Sequence, residues 1–417
     1  MKFAVDADKL TEQLLQLATF SEPTNHPDGV TRRVFSPEHR AGRNYLQSLL
    51  DEAEIPYHEN ASGVLIARLE TEGCDSSLPA VATGSHIDAI PESGRFDGTV
   101  GTLGGLAALV AIKQSGVKLR RAIELLDFSE EPTVFGVGCL QSRLMSGFLA
   151  PVDSEALIAE DGQTTFKEIC LQHDLNGSFS DVVLPKGHYA GWVELHIEQG
   201  PRLELAGIPI GVVSNISASA TAVLTFSGQG GHAGAVMMAD RQANAMPAAT
   251  SFAVACHQLA LDAPSPFAVA TVGQFSVFPS NSNSIPSQVR LSIDVRDRET
   301  AVRDALLQKI LLTAEEIAAQ HGASLQADIL NQDPAAISDP TILTAIEQSA
   351  SELNLETMRL QSFAYHDTTF MSLICPSAMI FIPCENGYSH RPEEYATPQD
   401  IAQGVETLAL TLAKLAA

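Results

Sequence analysis

Histidine and carboxylate residues stand at the ends of apolar segments in this chain. His86 and Asp88 follow one such segment, and Asp97 lies in a loop punctuated by Pro91 and Gly94. An imidazole and a carboxylate that meet at a strand end could bind a divalent cation, with Asp88 orienting the His86 ring. A solvated loop is the alternative, because such residues are common at strand ends. Recurrence of the pattern along the chain favours the metal site.

Later segments repeat this arrangement. Glu130 and Glu131 follow a second apolar segment, His196 lies in a third, and His390 follows a fourth. Two adjacent carboxylates repel each other unless a cation neutralises them or one of them is protonated. Imidazoles and carboxylates without a thiolate suit two divalent ions that share one carboxylate and activate water for hydrolysis. The candidate ligands are His86, Asp97, Glu131, His196 and His390, and Glu130 is the candidate general base.

Apolar segments alternate with helical patterns through most of the chain. We expect strands at 122–128, 191–200 and 378–383 and helices at 8–20, 37–54 and 101–115. This alternation predicts an α/β fold with a mostly parallel sheet covered by helices, which binds ligands beyond its strand ends. Arg32, in the polar loop 21–35, and the neighbouring His39 are expected to be solvated.

The pattern between residues 214 and 330 differs from that of the flanking segments. It predicts strands at 221–226, 267–278, 288–296 and 324–330 and helices at 240–261 and 300–321. The order β-α-β-β-α-β is typical of a ferredoxin-like α+β unit. We therefore predict an inserted domain at 214–330 and a catalytic domain formed by 1–213 and 331–417.

Composition limits the possible partners. The 417 residues include 50 acidic and 25 basic side chains, a formal charge of −25 that opposes binding to nucleic acid or anionic lipid. No segment approaches the roughly 18 apolar residues of a membrane span. The six cysteines form no C-x-x-C pair, which favours reduced thiols. We expect a soluble, cytoplasmic protein that binds neither nucleic acid nor membrane.

Several motifs resemble those of the dinuclear metallo-amidohydrolases, a family that includes N-carbamoyl-L-amino acid, allantoate and ureidoglycolate amidohydrolases. The motifs are 84–88, 94–98, 130–131, 194–200, 231–234 and 389–390. The resemblance covers nearly the whole chain and implies that Asp97 bridges two metal ions. It also implies that His86 and His196 complete one site, Glu131 and His390 the other, and that Glu130 is the base.

Finer motifs look most like the ureidoglycolate amidohydrolases. They are 129–133, 230–236, 331–334, 365–367 and 387–395. This likeness implies a small anionic ureido substrate, cleaved at a C–N bond to give glyoxylate, ammonia and carbon dioxide, and favours Mn²⁺ over Zn²⁺. Many relatives with other ureido substrates have Gly where Tyr365 stands. Allantoate and N-carbamoyl-L-amino acids are the alternative substrates.

The resemblance also implies a set of substrate contacts and a homodimer through the inserted domain, which would act as a lid. His232 would reach into the site of a partner subunit and join its catalytic groups. The expected substrate-binding residues are Gln199, His232, Asn283, Arg296 and Tyr365. Structural alternatives exist, because His232 could cap the backbone, Asn283 could set a turn, and Arg296 could pair with Asp294 or Asp297.

Two other classes of function are compatible with parts of the sequence. One is a thiol or serine hydrolase that uses Cys139 or Ser129 with a nearby histidine, which would leave the metal-type ligands without a role. The other is a non-enzymatic dimeric binding protein. A binding protein has no need for Glu130 and Glu131 together, since a base beside the ligands serves only catalysis.

Overall fold

The computed structural model describes residues 3–129, 131, 134–175 and 178–417. The chain divides into two units, the first formed by Met1–Asn215 with Ile337–Ala417 and the second by Ile216–Ala336. The second unit begins at residue 216, where the sequence suggested 214, and ends at residue 336, where it suggested 330.

The elements before the insertion alternate between short strands and helices. The strands are β1 (Val30–Arg32), β2 (Tyr57–Glu59), β3 (Leu65–Leu69), β4 (Ala80–His86), β5 (Ala89–Ser93), β6 (Ile123–Phe128), β7 (Tyr189–Ile197) and β8 (Ile210–Ile216). The helices are α1 (Ala7–Ala18), α2 (Pro37–Glu52), α3 (Thr99–Ser115), α4 (Leu140–Met145), α5 (Pro151–Glu155), α6 (Phe166–Gln172) and α7 (Arg202–Ala206).

The insertion and the segment after it complete the fold. The insertion contains β9 (Ala218–Ser227), β10 (Gly231–His232), α8 (Ala245–Leu261), β11 (Val269–Phe278), β12 (Ser284–Ile285), β13 (Gln288–Asp297), α9 (Thr300–Gln320) and β14 (Ser324–Asp333). After it come β15 (Ala336–Ile337), α10 (Pro340–Glu352), β16 (Thr357–Ser362), α11 (Thr368–Met371), β17 (Ser377–Ile382) and α12 (Pro398–Ala416).

The central sheet of the first unit has the strand order β15-β8-β17-β7-β4-β6-β3-β2, and β16 also pairs with β8. Strands β17, β7, β4 and β6 are parallel, whereas β8, β3 and β2 join antiparallel. The predicted α/β class is confirmed, with parallel strands at its centre. Since the carboxyl ends of parallel strands meet at one edge, the residues that follow these four strands gather there.

Helices cover both faces of this sheet. On one face Val81 and Leu195 share a core with α3 and α12. On the other face Ala82 and Trp192 share a core with α4 and α6. Adjacent positions of one strand therefore face different cores. This explains the continuous apolar runs in the sequence, because a strand buried on both faces has no solvent side.

Two residues that we expected to be solvated are buried. Arg32 is 1% exposed and His39 is 6% exposed, so that expectation was wrong. The guanidinium of Arg32 donates to the main-chain carbonyls of Leu17, Phe20 and Ile87. These carbonyls supply the hydrogen bonds that a buried cation needs.

The second unit has the predicted α+β arrangement. Its antiparallel sheet has the order β11-β13-β9-β14, and α8 and α9 pack against one face around Phe226 and Phe252. Strands β10 and β12 pair in a separate ladder. Within the described part of the chain, no helix is both long enough and apolar enough to cross a membrane.

Candidate metal centre

His86 stands at the carboxyl end of β4 and is oriented by the backbone. Its Nδ1 atom lies 3.1 Å from the carbonyl oxygen of Asp88 and 3.4 Å from Asp88 Oδ1. A carbonyl oxygen only accepts hydrogen bonds, so Nδ1 carries a proton. Nε2 is then the ring nitrogen that faces the Asp97 carboxylate, 3.9 Å away, and the one that could bind a cation.

His196, near the end of β7, is held in the same way. Its Nδ1 donates to the carbonyl of Ile197 over 2.9 Å, and its Nε2 lies 3.1 Å from Asp97 Oδ1. The Gly98 amide also donates to this Nε2 over 3.2 Å. Gly98 has a φ of +66°, and a Cβ there would lie 2.3 Å from the His86 ring, so a larger residue would displace that ring.

The second oxygen of Asp97 faces a different pair of side chains. His390 Nε2 lies 3.0 Å from Asp97 Oδ2 and 3.2 Å from Glu131 Oε1. The structure thus brings all five predicted ligands together at the carboxyl edge of the parallel strands. Two groups that could hold a metal ion share Asp97, one with His86 and His196 and the other with Glu131 and His390.

The donor atoms of this centre suit a pair of cations. Hydrogen bonds with Asp97 and Glu131 raise the pKa of His390 to about 10. Burial alone would raise the pKa of Asp97, yet contact with His196 and His390 holds it well below its usual range. Carboxylate oxygens and imidazole nitrogens that converge without a thiolate are the ligand set of borderline or hard divalent ions, which would replace the imidazole protons on binding.

Glu394 forms hydrogen bonds with two loops of the candidate metal centre, and no pattern in the sequence indicated this role. Its Oε1 accepts from the amides of Phe96 and Asp97 over 2.8 and 3.0 Å, and its Oε2 accepts from Ser389 Oγ over 2.8 Å. Gln199, a predicted substrate contact, donates to Asp97 Oδ2 and Ser389 Oγ over 3.2 and 3.0 Å. Gln199 therefore lies against the shared carboxylate.

A third cluster of possible metal ligands lies behind His196. It contains Glu194, His196 and His366. The Glu194 carboxylate accepts from Ser85 Oγ and from the amide and hydroxyl of Thr368, so it already has three donors. The His366 ring packs edge-on against His196 with centroids 4.6 Å apart. This ring contact restrains the position of the His196 ring.

The two remaining predictions in the first unit concern Tyr365 and Glu130. Tyr365 is half-buried next to His366, and its ring centroid lies 5.9 Å from the Arg143 guanidinium carbon. Glu130, the predicted base, lies outside the described residues, although Glu131 beside it is described.

His232 and Asn283 lie close together in the second unit. His232 pairs with Ser284 across the β10–β12 ladder, and the Asn283 carbonyl accepts from the Ala233 amide over 2.9 Å. The Gly234 amide donates to His232 Nδ1 over 3.1 Å. Both side chains are exposed. The backbone cap that we named as the alternative role of His232 is therefore present, and both side chains are open to solvent.

Arg296 stands near the other end of the same unit. It follows Gln288, the first residue of β13, by eight positions, a distance of roughly 26 Å along a strand. Its Nε and Nη2 atoms bond to the two carboxylate oxygens of Asp294 over 2.8 and 3.1 Å. The ion pair that we considered as an alternative role is thus formed.

A buried serine and histidine pair bears on the alternative of a serine hydrolase. Ser129 Oγ lies 3.2 Å from His39 Nε2, while His39 Nδ1 accepts from the Phe35 amide over 3.3 Å. Nε2 of the neutral ring therefore carries the proton and donates to Ser129, so His39 cannot act as the base for this hydroxyl. Burial also raises the pKa of the Cys139 thiol well above its usual value, which disfavours a thiolate.

Comparison with known proteins finds related sequences over nearly the whole chain. The family model "Peptidase family M20/M25/M40" matches residues 82–414. Ureidoglycolate hydrolase of Arabidopsis thaliana is 43% identical over 99% of this chain and 87% of its own length. N-carbamoyl-L-amino acid amidohydrolase of Geobacillus stearothermophilus is 33% identical over 99% of each chain.

A solved structure shows the same architecture. The crystal structure of AtUAH in complex with glyoxylate is 42% identical, covers 100% of this chain and 99% of its own, and superposes with a TM-score of 0.88. Both the family model and the relatives extend over the strands that carry the metal centre. The chain therefore belongs to peptidase family M20/M25/M40.

Proposed function

We propose that this protein is a metal-dependent amidohydrolase that cleaves ureidoglycolate to glyoxylate, ammonia and carbon dioxide. The observation that carries the proposal is the position of Asp97, whose two carboxylate oxygens face two separate groups of donor side chains. The identity to ureidoglycolate hydrolase over the full chain supports the choice of substrate. Allantoate and N-carbamoyl-L-amino acids are the alternative substrates.

His86, Asp97 and His196 would hold one divalent ion, and Asp97, Glu131 and His390 the other. When bound, such a pair supplies Lewis-acid activation of the ureido carbonyl and lowers the pKa of water. We favour Mn²⁺ over Zn²⁺, although the donor set suits both. Glu130 is the proposed general base that takes a proton from water and passes it to the leaving nitrogen.

Substrate recognition would require residues of two subunits. His232 and Asn283 lie beyond one end of β13 and Arg296 near the other, roughly 26 Å along the strand. A small ureido acid cannot contact both ends of one inserted unit. A homodimer resolves this, since one subunit could supply Arg296 while its partner supplies His232 and Asn283. Gln199 and Tyr365 are the proposed substrate contacts from the first unit, and the inserted unit is the proposed lid.

We also place the enzyme in the cytoplasm. All six cysteines lie in the described part of the chain and are free thiols, as expected of a reducing compartment. The excess of acidic residues disfavours association with anionic lipid or nucleic acid.

A release assay tests this function directly. The purified protein, loaded with Mn²⁺ or Zn²⁺, would be supplied with ureidoglycolate, allantoate or an N-carbamoyl-L-amino acid, and ammonia and glyoxylate would be measured. We expect the highest kcat/KM for ureidoglycolate, with two molecules of ammonia released for each glyoxylate, since the substrate contains two nitrogen atoms. The Asp97→Asn protein, prepared identically, controls for contaminating hydrolases. A higher kcat/KM for either alternative substrate would contradict the assignment.

A further inference from the structure

Glu394 is a buried carboxylate that joins two loops of the metal centre. It is 1% exposed, and among the described residues no cationic side chain forms an ion pair with it. Gly94 provides the space for it, because a Cβ at that position would lie 2.3 Å from the Glu394 carboxyl group. An unpaired buried carboxylate is unfavourable unless hydrogen bonds compensate it. The donors come from both loops.

Each oxygen of Glu394 has its own partners. Oε1 accepts from the Phe96 and Asp97 amides, which fixes the backbone that carries the shared carboxylate. Oε2 accepts from Ser389 Oγ, next to His390. The Ser389 hydroxyl is 3.5 Å from Asp97 Oδ2, a longer distance than the 2.8 Å to Glu394. Its single proton is therefore best placed to bind Glu394.

The two groups of ligands differ in how firmly they are held. His86 and His196 stand on strands of the central sheet, with their Nδ1 atoms hydrogen-bonded to carbonyls. Asp97 has a further restraint, because the first turn of α3 begins beside it with a bond from the Val100 amide to the Phe96 carbonyl. His390, by contrast, lies on a loop with a φ of +58° and a side chain that is 46% exposed.

We infer that Glu394 is a positioning residue that keeps His390 beside Asp97 and thereby sets the affinity of the metal group formed by Asp97, Glu131 and His390. The inference rests on the proposed metal-dependent function. Loss of Glu394 removes the acceptor of the Ser389 hydroxyl and leaves Ser389 bonded to Gln199, whereas the strand-borne group keeps its own anchors. Partners of this kind typically change metal affinity by about 10- to 100-fold. The effect should therefore fall on one of the two sites.

Titration with Mn²⁺, followed by the paramagnetic resonance signal of the free ion, measures both sites without reference to activity. We expect two ions per wild-type chain. In Glu394→Ala we expect one site to weaken by about 10- to 100-fold and the other to change less than about threefold. Ser389→Ala should weaken the same site, because it removes the link to Glu394 and leaves the Phe96 and Asp97 amides bound.

Three further variants test whether the loss of Mn²⁺ affinity is specific to Glu394 and falls on the site that contains Glu131. Glu394→Gln should retain most of the affinity, since its amide can still accept from the two backbone amides and donate to Ser389 Oγ. Glu393→Gln is the matched control, because Glu393 pairs with Arg391 at the surface, and it should leave both sites unchanged. The Glu131→Gln/Glu394→Ala protein should bind its remaining ion as tightly as Glu131→Gln alone, because both changes act on one site.

The outcomes separate the inference from the function on which it rests. Fewer than two ions in the wild-type chain would overturn the proposed dinuclear centre. Two ions in the wild type, with unchanged or equally weakened sites in Glu394→Ala, would overturn the role of Glu394. Circular dichroism monitors folding of each variant, and if Glu394→Ala does not fold, Ser389→Ala gives the decisive comparison.

Discussion

His390 Nε2 lies 3.0 Å from Asp97 Oδ2, although the two residues stand on loops from the two separate segments that form the first unit. Oδ1 of the same carboxylate lies 3.1 Å from His196 Nε2. Asp97 is therefore the one side chain common to both ligand groups in the described part of the chain. Changes at Asp97 and at His390 should have different consequences.

Asp97→Asn should weaken both metal sites, since an amide offers one oxygen and directs its NH2 group towards one of the two clusters. His390→Ala should weaken only the site shared with Glu131. Metal analysis after dialysis would give close to no bound ions for Asp97→Asn and about one per chain for His390→Ala. Retention of both ions by Asp97→Asn would contradict the bridging role.

Glu130 and Glu131 are adjacent but should respond differently to the same substitution. Glu130→Gln should keep both ions and lower kcat by about 10²–10⁴-fold, because the amide cannot accept the proton of water. Glu131→Gln should lower metal content, as its oxygen lies 3.2 Å from His390 Nε2. Metal analysis and steady-state kinetics on both variants decide this. If the two variants have equal metal content and equal residual rates, the assignment of Glu130 as base and Glu131 as ligand is wrong.

The proposed metal ligands could be identified from the sequence because each follows a local pattern. His86 ends β4, His196 lies near the end of β7, and Glu131 follows β6, so each stands next to an apolar run, and recurrence of this pattern favoured a metal site. The parallel arrangement of these strands then brings their ends together. Local sequence and the geometry of a parallel sheet together predict the composition of the centre.

Contacts between distant segments could not be predicted in this way. Glu394 bonds to the Asp97 amide across 297 residues, and Arg32 bonds to the Ile87 carbonyl across 55. Neither residue has an apolar pattern around it, so a solvated loop is the default interpretation for a charged side chain. His39 was misjudged for the same reason, because its burial depends on neighbours that the local sequence does not specify.

The stability of the protein should depend on pH through Asp367. Burial and the nearby Glu194 raise the pKa of Asp367 from 3.8 to about 7, and Ser142 Oγ donates to it over 2.5 Å. Between these pKa values the folded chain holds a proton that the unfolded chain has released. Stability from this group is therefore lost as pH rises towards 7 and is greatest at low pH.

Asp367→Asn should remove this dependence, because an amide resembles the protonated acid. From pH 5 to pH 8 the wild type should lose up to roughly 3 kcal/mol relative to the variant, given about 1.36 kcal/mol per pKa unit. Thermal unfolding of both proteins at the two pH values measures the difference, in which the effects of other titrating groups cancel. If the difference in stability between the wild type and Asp367→Asn is the same at both pH values, Asp367 is charged in the folded protein at pH 5.

If each active site combines residues of two subunits, as proposed, two inactive variants should regain activity when they are mixed. In a mixed dimer of His232→Ala and Glu130→Gln chains, one site combines an intact Glu130 with an intact His232 of the other chain. Random exchange of subunits should restore at most about a quarter of wild-type activity. Glu130→Gln mixed with Asp97→Asn is the control and should recover none, because both residues belong to the first unit of one chain. Absence of recovery after verified subunit exchange would contradict the shared site.

Arg296 is the proposed anchor for the substrate carboxylate. A guanidinium can bind a carboxylate with two parallel hydrogen bonds, as Arg296 already does with Asp294, whereas lysine provides a point charge. A hydrogen bond to a charged group contributes roughly 1.5–3 kcal/mol, so Arg296→Lys should lower kcat/KM by about 10- to 150-fold and leave metal content unchanged. Steady-state kinetics with ureidoglycolate measure this loss.

Asp294→Asn separates the two roles of Arg296. Both side chains are about one-third exposed, at 29% and 34%, and such a pair contributes only about 0–1 kcal/mol to stability. If Arg296 binds substrate, Asp294→Asn frees the guanidinium and should keep kcat/KM within about threefold of the wild type, in contrast to Arg296→Lys. If the ion pair with Asp294 is its only role, both variants should have nearly wild-type kcat/KM, and Arg296 would then be removed from the proposed substrate site.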